Sequence, residues 1–242
     1  MSTVLDTAML MAAGLGKRMR PLTATRPKPL VKVAGQPLID HALDRIEAAG
    51  ISRIVVNAHY LADTVEAHLR ARGRRHPDLA YLMSDERAQL LETGGGLMKA
   101  APLLGDKPFL CANSDNIWID GPQNSISLLA ERWDDERMDA LLLLVCHARA
   151  HCHRGLGDFH MDAQGLLSRR RPGRVAPFVF TGVQILSPRL LVDPPGDVFS
   201  TNIFWNRAIA AGRAYGMSHQ GLWFDVGTPA ALPVVEAVIA GG

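Results

Sequence analysis

A short apolar run, Ala8–Ala13, breaks at Gly14-Leu15-Gly16 and is followed by six basic residues: Lys17, Arg18, Arg20, Arg26, Lys28 and Lys32. No Asp or Glu lies between Ala8 and Ile39. Ala8–Ala13 reads as a buried strand. A glycine turn directly after such a strand lets backbone N–H groups approach an anion, and the basic side chains add charge. That chemistry suits a polyphosphate, although Gly-x-Gly by itself also fits an ordinary strand–loop–helix turn with a solvated basic face. The stretch is not the dinucleotide fingerprint, because Met19 occupies the place of its third glycine and no acidic residue stands near position 34. It is not a Walker loop either, since Gly-Lys-Ser/Thr is missing.

The pattern beyond the loop sets the fold class. Leu38, Ala42, Ile46 and Ala49 recur at helical spacing, and Gly50 ends that segment. Ile54-Val55-Val56 predicts a strand ending at Asn57, Ala62–Arg70 a helix, Arg72-Gly73-Arg74-Arg75 an exposed basic turn, and Leu79–Met83 a third strand. Alternating strands and helices predict a parallel sheet with crossover helices. Further helices are expected from Leu91 to about Leu103, over Ile126–Trp133 and over Ile203–Ala211. Further strands are expected at Pro108–Cys111, Asp139–Cys146, Phe178–Leu186 and near Tyr215. The fold expected is α/β: a Rossmann-like, mixed but mainly parallel sheet with helices on both faces.

Composition narrows the class of function. The 242 residues are 48% hydrophobic and 21% charged with a net charge of +2, so no general nucleic-acid partner is implied. Cys111, Cys146 and Cys152 are an odd, widely spaced set, read as reduced thiols of a cytoplasmic protein. The N-terminus lacks a basic n-region, and no apolar run is long enough to span a membrane, so neither a signal peptide nor a membrane anchor is expected. His147, His151, Cys152 and His153 invite a zinc reading, but no second ligand pair follows at structural-zinc spacing. The segment is read as a polar loop.

The string Ala12-Ala13-Gly14-x-Gly16-x-Arg18-Met19-x-Pro21-x-Thr23, followed by Pro27-Lys28-Pro29-Leu30, resembles the signature of the sugar-1-phosphate nucleotidyltransferases. The resemblance implies that Ala12, Ala13, Gly14, Gly16 and Lys17 wrap a nucleoside triphosphate. It also implies that Arg18 faces the leaving pyrophosphate and that Lys28 reaches the phosphate under attack. Glu92-Thr93-Gly94-Gly95-Gly96 is typical of one branch, the N-acetylmuramate-1-phosphate uridylyltransferases, and places Thr93, Gly94 and Gly95, with Glu86, against the nucleotide. Three glycines opening a helix cost roughly 1 kcal/mol each in propensity, which close approach of a nucleobase would explain. Asn113-Ser114-Asp115 stands where the family has Asn-Gly-Asp. Asn113 is then a nucleotide contact and Asp115 a ligand of Mg²⁺, with serine replacing the glycine. Asp225-Val226-Gly227-Thr228-Pro229 supplies the second carboxylate, Asp225, and its Thr-Pro is expected to start the last helix.

On the sugar side, Gly157 and Asp158 match a Gly-Asp-Phe element, and Thr181 and Gly182 a Phe-Thr-Gly-Val segment facing the sugar. The lysines are Lys17, Lys28, Lys32, Lys99 and Lys107, so the Glu-Lys-Pro of branches making dTDP- or UDP-glucose is missing. The sugar phosphate must be held otherwise, by Arg154 or by Lys28 and the metal. A lactyl carboxylate would pair with Arg154 or one of Arg169–Arg174, the last group read as a basic hairpin tip. The resemblance covers the chain as one domain, residues 1–242, with a nucleotide part to about 120 and a sugar part beyond. No acetyltransferase domain is expected after Gly242.

The implied reaction joins UTP and a sugar 1-phosphate, most simply N-acetylmuramate 1-phosphate in peptidoglycan recycling, in a monomer or weak dimer. Its rivals are mannose- or glucose-1-phosphate nucleotidyl transfer and a non-catalytic, nucleotide-binding regulator. Intact Lys28, Asp115 and Asp225 argue against the regulator.

Overall fold

The computed structural model describes residues 5–241; the extreme N-terminus, read above as lacking a signal peptide, lies partly outside them. In chain order the strands are β1 (Thr7–Met11), β2 (Lys32–Val33), β3 (Gln36–Pro37), β4 (Arg53–Ala58), β5 (Ala80–Asp85), β6 (Phe109–Asn113) and β7 (Asn116–Ile119). They continue with β8 (Ala140–Cys146), β9 (Ala150–His151), β10 (Phe159–Met161), β11 (Leu167–Arg169), β12 (Phe178–Leu186), β13 (Ala214–Ser218) and β14 (Leu222–Asp225). The helices are α1 (Leu38–Ala48), α2 (Ala62–Arg75), α3 (Glu92–Leu104), α4 (Ser125–Arg132), α5 (Asn202–Ala210) and α6 (Ala231–Gly241).

The main sheet runs β5-β4-β1-β6-β12-β8-β13, with the β10–β11 hairpin joined to β12 through Phe159 and Phe178. β1 pairs in parallel with β4 on one side and β6 on the other, whereas β12 is antiparallel to both β6 and β8. The sheet is therefore mixed, as expected. Its strands alternate sides in the way a two-faced sheet requires. Leu10, Ile54, Val56 and Leu110 pack with Ile39, Leu43 and Ile46 of α1, Val65 and Leu69 of α2, and Ile126 and Leu129 of α4. Met9, Val55, Leu142 and Leu144 face the other way, onto Leu97 and Ala100 of α3 and Phe204 and Ala208 of α5. Each fully buried aliphatic or aromatic side chain of this kind contributes about 1.5–3 kcal/mol.

Chain order doubles back at β1, because β4 and β5 extend to one side and β6 begins the other. Open α/β sheets hold ligands at such a reversal, outside the carboxyl ends of the strands. A second, three-stranded sheet, β7-β14-β9, stands beside that crevice, with Asn116 directly opposite Asp225 in the β7–β14 ladder. α6, β14 and the loop around Met19 share a small apolar cluster that includes Phe224, Val226 and Val235.

Two expectations are corrected. Arg72-Gly73-Arg74-Arg75 is no exposed turn: α2 continues to Arg75, and Arg72 is buried against Asp40, Asp44 and Glu47. Its charge is buried only because three carboxylates of α1 surround it, a long-range pairing that local pattern does not reveal. Thr228 and Pro229 do not open the last helix. They form the turn before it, where their carbonyls accept from the N–H groups of Ala231 and Leu232.

Candidate active site

Strand β1 ends at Met11, and the next N–H, that of Ala12, donates to Asn57 Oδ1 at the end of β4 (2.7 Å). Asn57 Nδ2 in turn donates to Glu86 Oε1 (2.7 Å), and the Leu91 N–H donates to Glu86 Oε2 (3.3 Å). This relay fixes the start of the glycine loop to the two strands beside it. Glu86 is fully buried, its carboxylate engaged with these donors. Expected at the nucleotide, it instead lies beneath the floor on which Ala12 rests.

Gly16 holds a left-handed φ of 61°, and a Cβ there would stand 2.9 Å from Lys28 Cβ and 3.1 Å from Thr23 Cγ2. Only a glycine lets the loop pass so close to Lys28. Thr23 Oγ1 closes the turn by donating to the Gly16 carbonyl (2.8 Å). Lys17, Arg18, Arg20 and Arg26 are exposed around it. Lys28 differs: it sits in a single 3-10 turn, Lys28–Leu30, between Pro27 and Pro29, with its side chain 9% exposed. Its Nζ donates to Asp115 Oδ2 (2.7 Å).

Asp115 follows β6. Ser114, where the family has glycine, is buried, and its Oγ donates to the Met11 carbonyl (2.7 Å), tying the end of β6 to the end of β1. The hydroxyl therefore braces the site rather than narrowing it. Asp225 ends β14, and its pairing with Asn116, the residue after Asp115, brings the turn that carries Asp115 to the end of that strand. A Cβ on Gly227 would meet Asp225 Oδ1 at 2.9 Å and Arg18 Nη1 at 3.2 Å, so both side chains press on that glycine. Asp225 Oδ2 also lies 3.7 Å from His153 Nδ1. Burial, and then the charge of Asp225, push the Cys152 thiol up, so the His/Cys loop borders this carboxylate. Among the described residues no group of three or more His, Cys, Asp or Glu side chains is placed to hold a metal.

A cavity of about 280 Å³ opens over these residues, lined by Ala12, Ala13, Gly14, Lys28, Thr93, Asn113 and Asp115, with Asn57, Leu90, Glu92 and Ser114 beside them. A second space of about 210 Å³ shares Met11, Thr93 and Asn113 with it and extends to Phe180, Gln184, Ser200, Thr201, Asn202 and Trp205. Gln184 Oε1 is held by Trp205 Nε1 (2.7 Å), and Thr93 Oγ1 accepts from the Thr201 N–H (2.9 Å). Asn57 and this second wall escaped the sequence reading. Asn57 could have been found from its place at the carboxyl end of a β-branched strand. Thr201, Asn202 and Trp205 carry no local signal, because the fold alone brings α5 to the end of β6.

The glycines opening α3 have a different cause from the one expected. Gly94 and Gly95 donate their N–H groups to the Phe199 carbonyl (2.8 and 3.1 Å). A Cβ on Gly94 would strike the Phe199 ring at 2.5 Å, and one on Gly95 the Asp197 carbonyl. The chain segment Asp197–Phe199 approaches these two residues, and neither lines the cavity.

The expected sugar residues divide. Gly182, φ 90°, lies where the pairing of β12 with β8 shifts, and a Cβ there would meet Asn116 Oδ1 (2.5 Å) and Asn113. Thr181 is fully buried: its Oγ1 donates to the Leu143 carbonyl (2.8 Å) and its own carbonyl accepts from Trp223 Nε1 (2.8 Å). Its side chain therefore serves the fold. Asp158 Oδ2 accepts the Phe180 N–H (2.9 Å), which pins the hairpin to the cavity wall, and Gly157, φ 78°, packs against the Ala176 carbonyl. Arg154 is exposed on the His/Cys loop.

Residues 7–162 match the family model described as nucleotidyl transferase. The N-acetylmuramate alpha-1-phosphate uridylyltransferase of Caulobacter vibrioides is 46% identical over 240 residues, 99% of either chain. The protein of the same name from Neisseria meningitidis serogroup B is 36% identical, over 96% of this chain and 97% of its own. Among solved structures, UDP-glucose pyrophosphorylase complexed with UDP-glucose superposes with a TM-score of 0.79 at 14% identity, covering 98% of this chain and 99% of that one.

Proposed function

The chain belongs to the nucleotidyl transferase family, and we propose that its own reaction is transfer of a uridylyl group from UTP to N-acetylmuramate α-1-phosphate, releasing pyrophosphate. The observation that carries this is the Lys28–Asp115 pair at a cavity floored by the Ala12–Gly14 loop, with Asp225 paired opposite Asn116, the residue after Asp115. The names of the two relatives supply the base and the sugar.

The attacking sugar phosphate is already an anion, so no protein nucleophile is needed. The work is positioning and charge neutralisation. Backbone N–H groups at Ala13 and Gly14 and the exposed arginines of the loop receive the triphosphate. Arg18 meets the departing pyrophosphate, and Lys28 stabilises charge at the α-phosphate. Thr93 and Asn113 stand where the two cavities join, at the seam between nucleotide and sugar.

The donor set also fits Mg²⁺. Two aspartates, Asp225 at the end of β14 and Asp115 in the turn just before the strand paired with it, would suit a cation that completes its shell with phosphate oxygens and water. Asp115 and Asp225 would hold it, and when bound it would neutralise triphosphate charge as a Lewis acid. We place the enzyme in the cytoplasm, in peptidoglycan recycling, as a monomer or weak dimer. No helix among the described residues is long and apolar enough to cross a membrane.

A pyrophosphate-release screen tests the reading, crossing four nucleoside triphosphates with the 1-phosphates of N-acetylmuramate, N-acetylglucosamine, glucose and mannose. UTP with N-acetylmuramate 1-phosphate is expected to give the highest kcat/KM. Greater turnover with a hexose 1-phosphate would move the assignment to hexose transfer, and silence with every pair would leave a binding protein.

A further inference from the structure

Arg169, the last residue of β11, differs from the other arginines on the sugar side. Its guanidinium lies over two aromatic rings, 4.9 Å from the Phe159 centroid and 5.2 Å from that of Trp205. Its Nε donates to Asn206 Oδ1 (3.0 Å), and its Nη2 donates to the carbonyl and Oδ1 of Asn202 (3.2 and 2.9 Å). Every acceptor is neutral. Nη1 has no hydrogen-bond partner, and no carboxylate forms an ion pair with this arginine, among the described residues. Burial pulls its pKa down, although the charge of Asp158 acts the other way. A half-buried cation, oriented and touched by no carboxylate among the described residues, is arranged for an anion from outside the chain.

Arg169 is not itself among the residues lining either cavity, but its partners place it beside the second one. Asn202 and Trp205 both line the second cavity, which joins the first at Thr93 and Asn113. Phe180 lines the same cavity, its ring 4.8 Å from Trp205, and its N–H donates to Asp158. The neighbouring arginines lack this arrangement. Arg170 donates to the carbonyls of Gly157 and Arg174, whereas Arg154, Arg171 and Arg174 are exposed without an aromatic platform.

We propose that Arg169 is the specificity-determining residue for the acid substituent of the sugar, its free Nη1 edge pairing with the lactyl carboxylate while Asn202 and the two rings hold its plane. The proposal rests on the uridylyl-transfer reading above. A guanidinium locked on two sides gives up little freedom on pairing, so the contact favours the carboxylate-bearing sugar over one that lacks it.

The test is the ratio of kcat/KM for N-acetylmuramate 1-phosphate to that for N-acetylglucosamine 1-phosphate, measured in wild type, Arg169→Met and Arg169→Lys. Methionine keeps apolar contact with the rings, and the KM for UTP with the thermal midpoint reports whether each variant is folded. In wild type the ratio is expected to be about ten to a hundred. It should collapse toward one in Arg169→Met, mainly through KM of the muramate substrate, and recover only in part in Arg169→Lys. The lactyl amide of the substrate should be handled by wild type as poorly as the acid is by Arg169→Met. A wild-type ratio preserved in folded Arg169→Met, or in Arg169→Lys if the methionine variant does not fold and lysine leaves discrimination intact, overturns the assignment to Arg169 while the function stands. A wild-type ratio of one overturns the function itself.

Discussion

Lys28 Nζ donates a 2.7 Å hydrogen bond to Asp115 Oδ2, joining residues 87 positions apart at the end of the β1–β6 crevice. A lysine this buried needs a counter-charge, and the carboxylate supplies it. The same carboxylate is the one proposed for the metal, so on that reading nucleotide binding would exchange partners around a charge already in place. Lys28→Ala is expected to lower kcat on the order of 10²- to 10³-fold while raising the KM for UTP much less, if, as proposed, the ammonium acts chiefly as the α-phosphate is attacked. Lys28→Arg should not restore it, because a planar fork does not fit a pocket shaped by Pro27, Pro29 and Gly16 for a compact charge. Steady-state kinetics on the three proteins checks this, and an unchanged kcat would remove Lys28 from the reaction.

Asp115→Asn and Asp225→Asn each delete one formal charge, the first in the turn between β6 and β7 and the second at the end of β14. Each is expected to reduce turnover on the order of 10²-fold or more and to move the Mg²⁺ dependence to higher concentration, with the circular dichroism spectrum unchanged. A variant with wild-type rates at limiting Mg²⁺ would show that its residue is no ligand.

Far from the cavity, Arg72 holds α1, α2 and β5 together through Asp40, Glu47 and the Tyr81 hydroxyl. Burial and the adjacent Glu47 carboxylate raise the Tyr81 phenol well above its usual range. Arg72→Met leaves several carboxylates facing one another and is expected to destabilise the fold by about 3–5 kcal/mol. Kinetic constants measured well below the melting transition should hardly change. Denaturant unfolding with parallel assays separates the two effects.

How much of this was legible in the sequence depends on the range of the interaction. The loop Ala12–Gly16, Lys28 and Asp115 could be placed because each is set by a local turn and a strand end. The helices α1, α2 and α3 and the strands β1, β4, β6, β8 and β12 likewise announce themselves by period or by continuous apolar runs. The short strands β7, β9 and β14 were not legible, since two to four residues carry no period, yet β7 and β14 are what pair Asn116, the residue after Asp115, with Asp225. Arg72 was misjudged because a basic run at the end of a helix looks solvated until its partners, on another helix, are known. Gly94 and Gly95 were identified as needing close approach, but only the fold shows that Asp197–Phe199 approaches them.

His219 gives a pH dependence of stability. Its Nε2 contacts the Leu222 carbonyl, which can only accept, so Nε2 carries the proton and Nδ1 accepts from Ser125 Oγ. Burial holds its pKa below the ordinary value of about 6.5. The unfolded chain therefore takes up a proton at higher pH than the folded one. The stabilisation from a neutral His219 is complete above about pH 6.5 and is lost as pH falls from there toward the folded pKa. The thermal midpoint of wild type should fall between pH 7.5 and 5.5 more steeply than that of His219→Gln, which cannot be protonated. Parallel slopes would show that another group dominates.

On the proposed reading the uridylyl group is transferred directly, with no covalent stage on the protein, and the hydroxyls of Ser114 and Thr93 beside the cavity are engaged with Met11 and Thr201. The stereochemical course at the α-phosphorus tests this most directly. One diastereomer of UTP carrying sulfur on the α-phosphate is turned over with N-acetylmuramate 1-phosphate, and the configuration of the sugar nucleotide is read by ³¹P NMR. A single in-line displacement gives inversion, the expected result. Retention, which requires two displacements and hence a nucleotidylated residue, would contradict it.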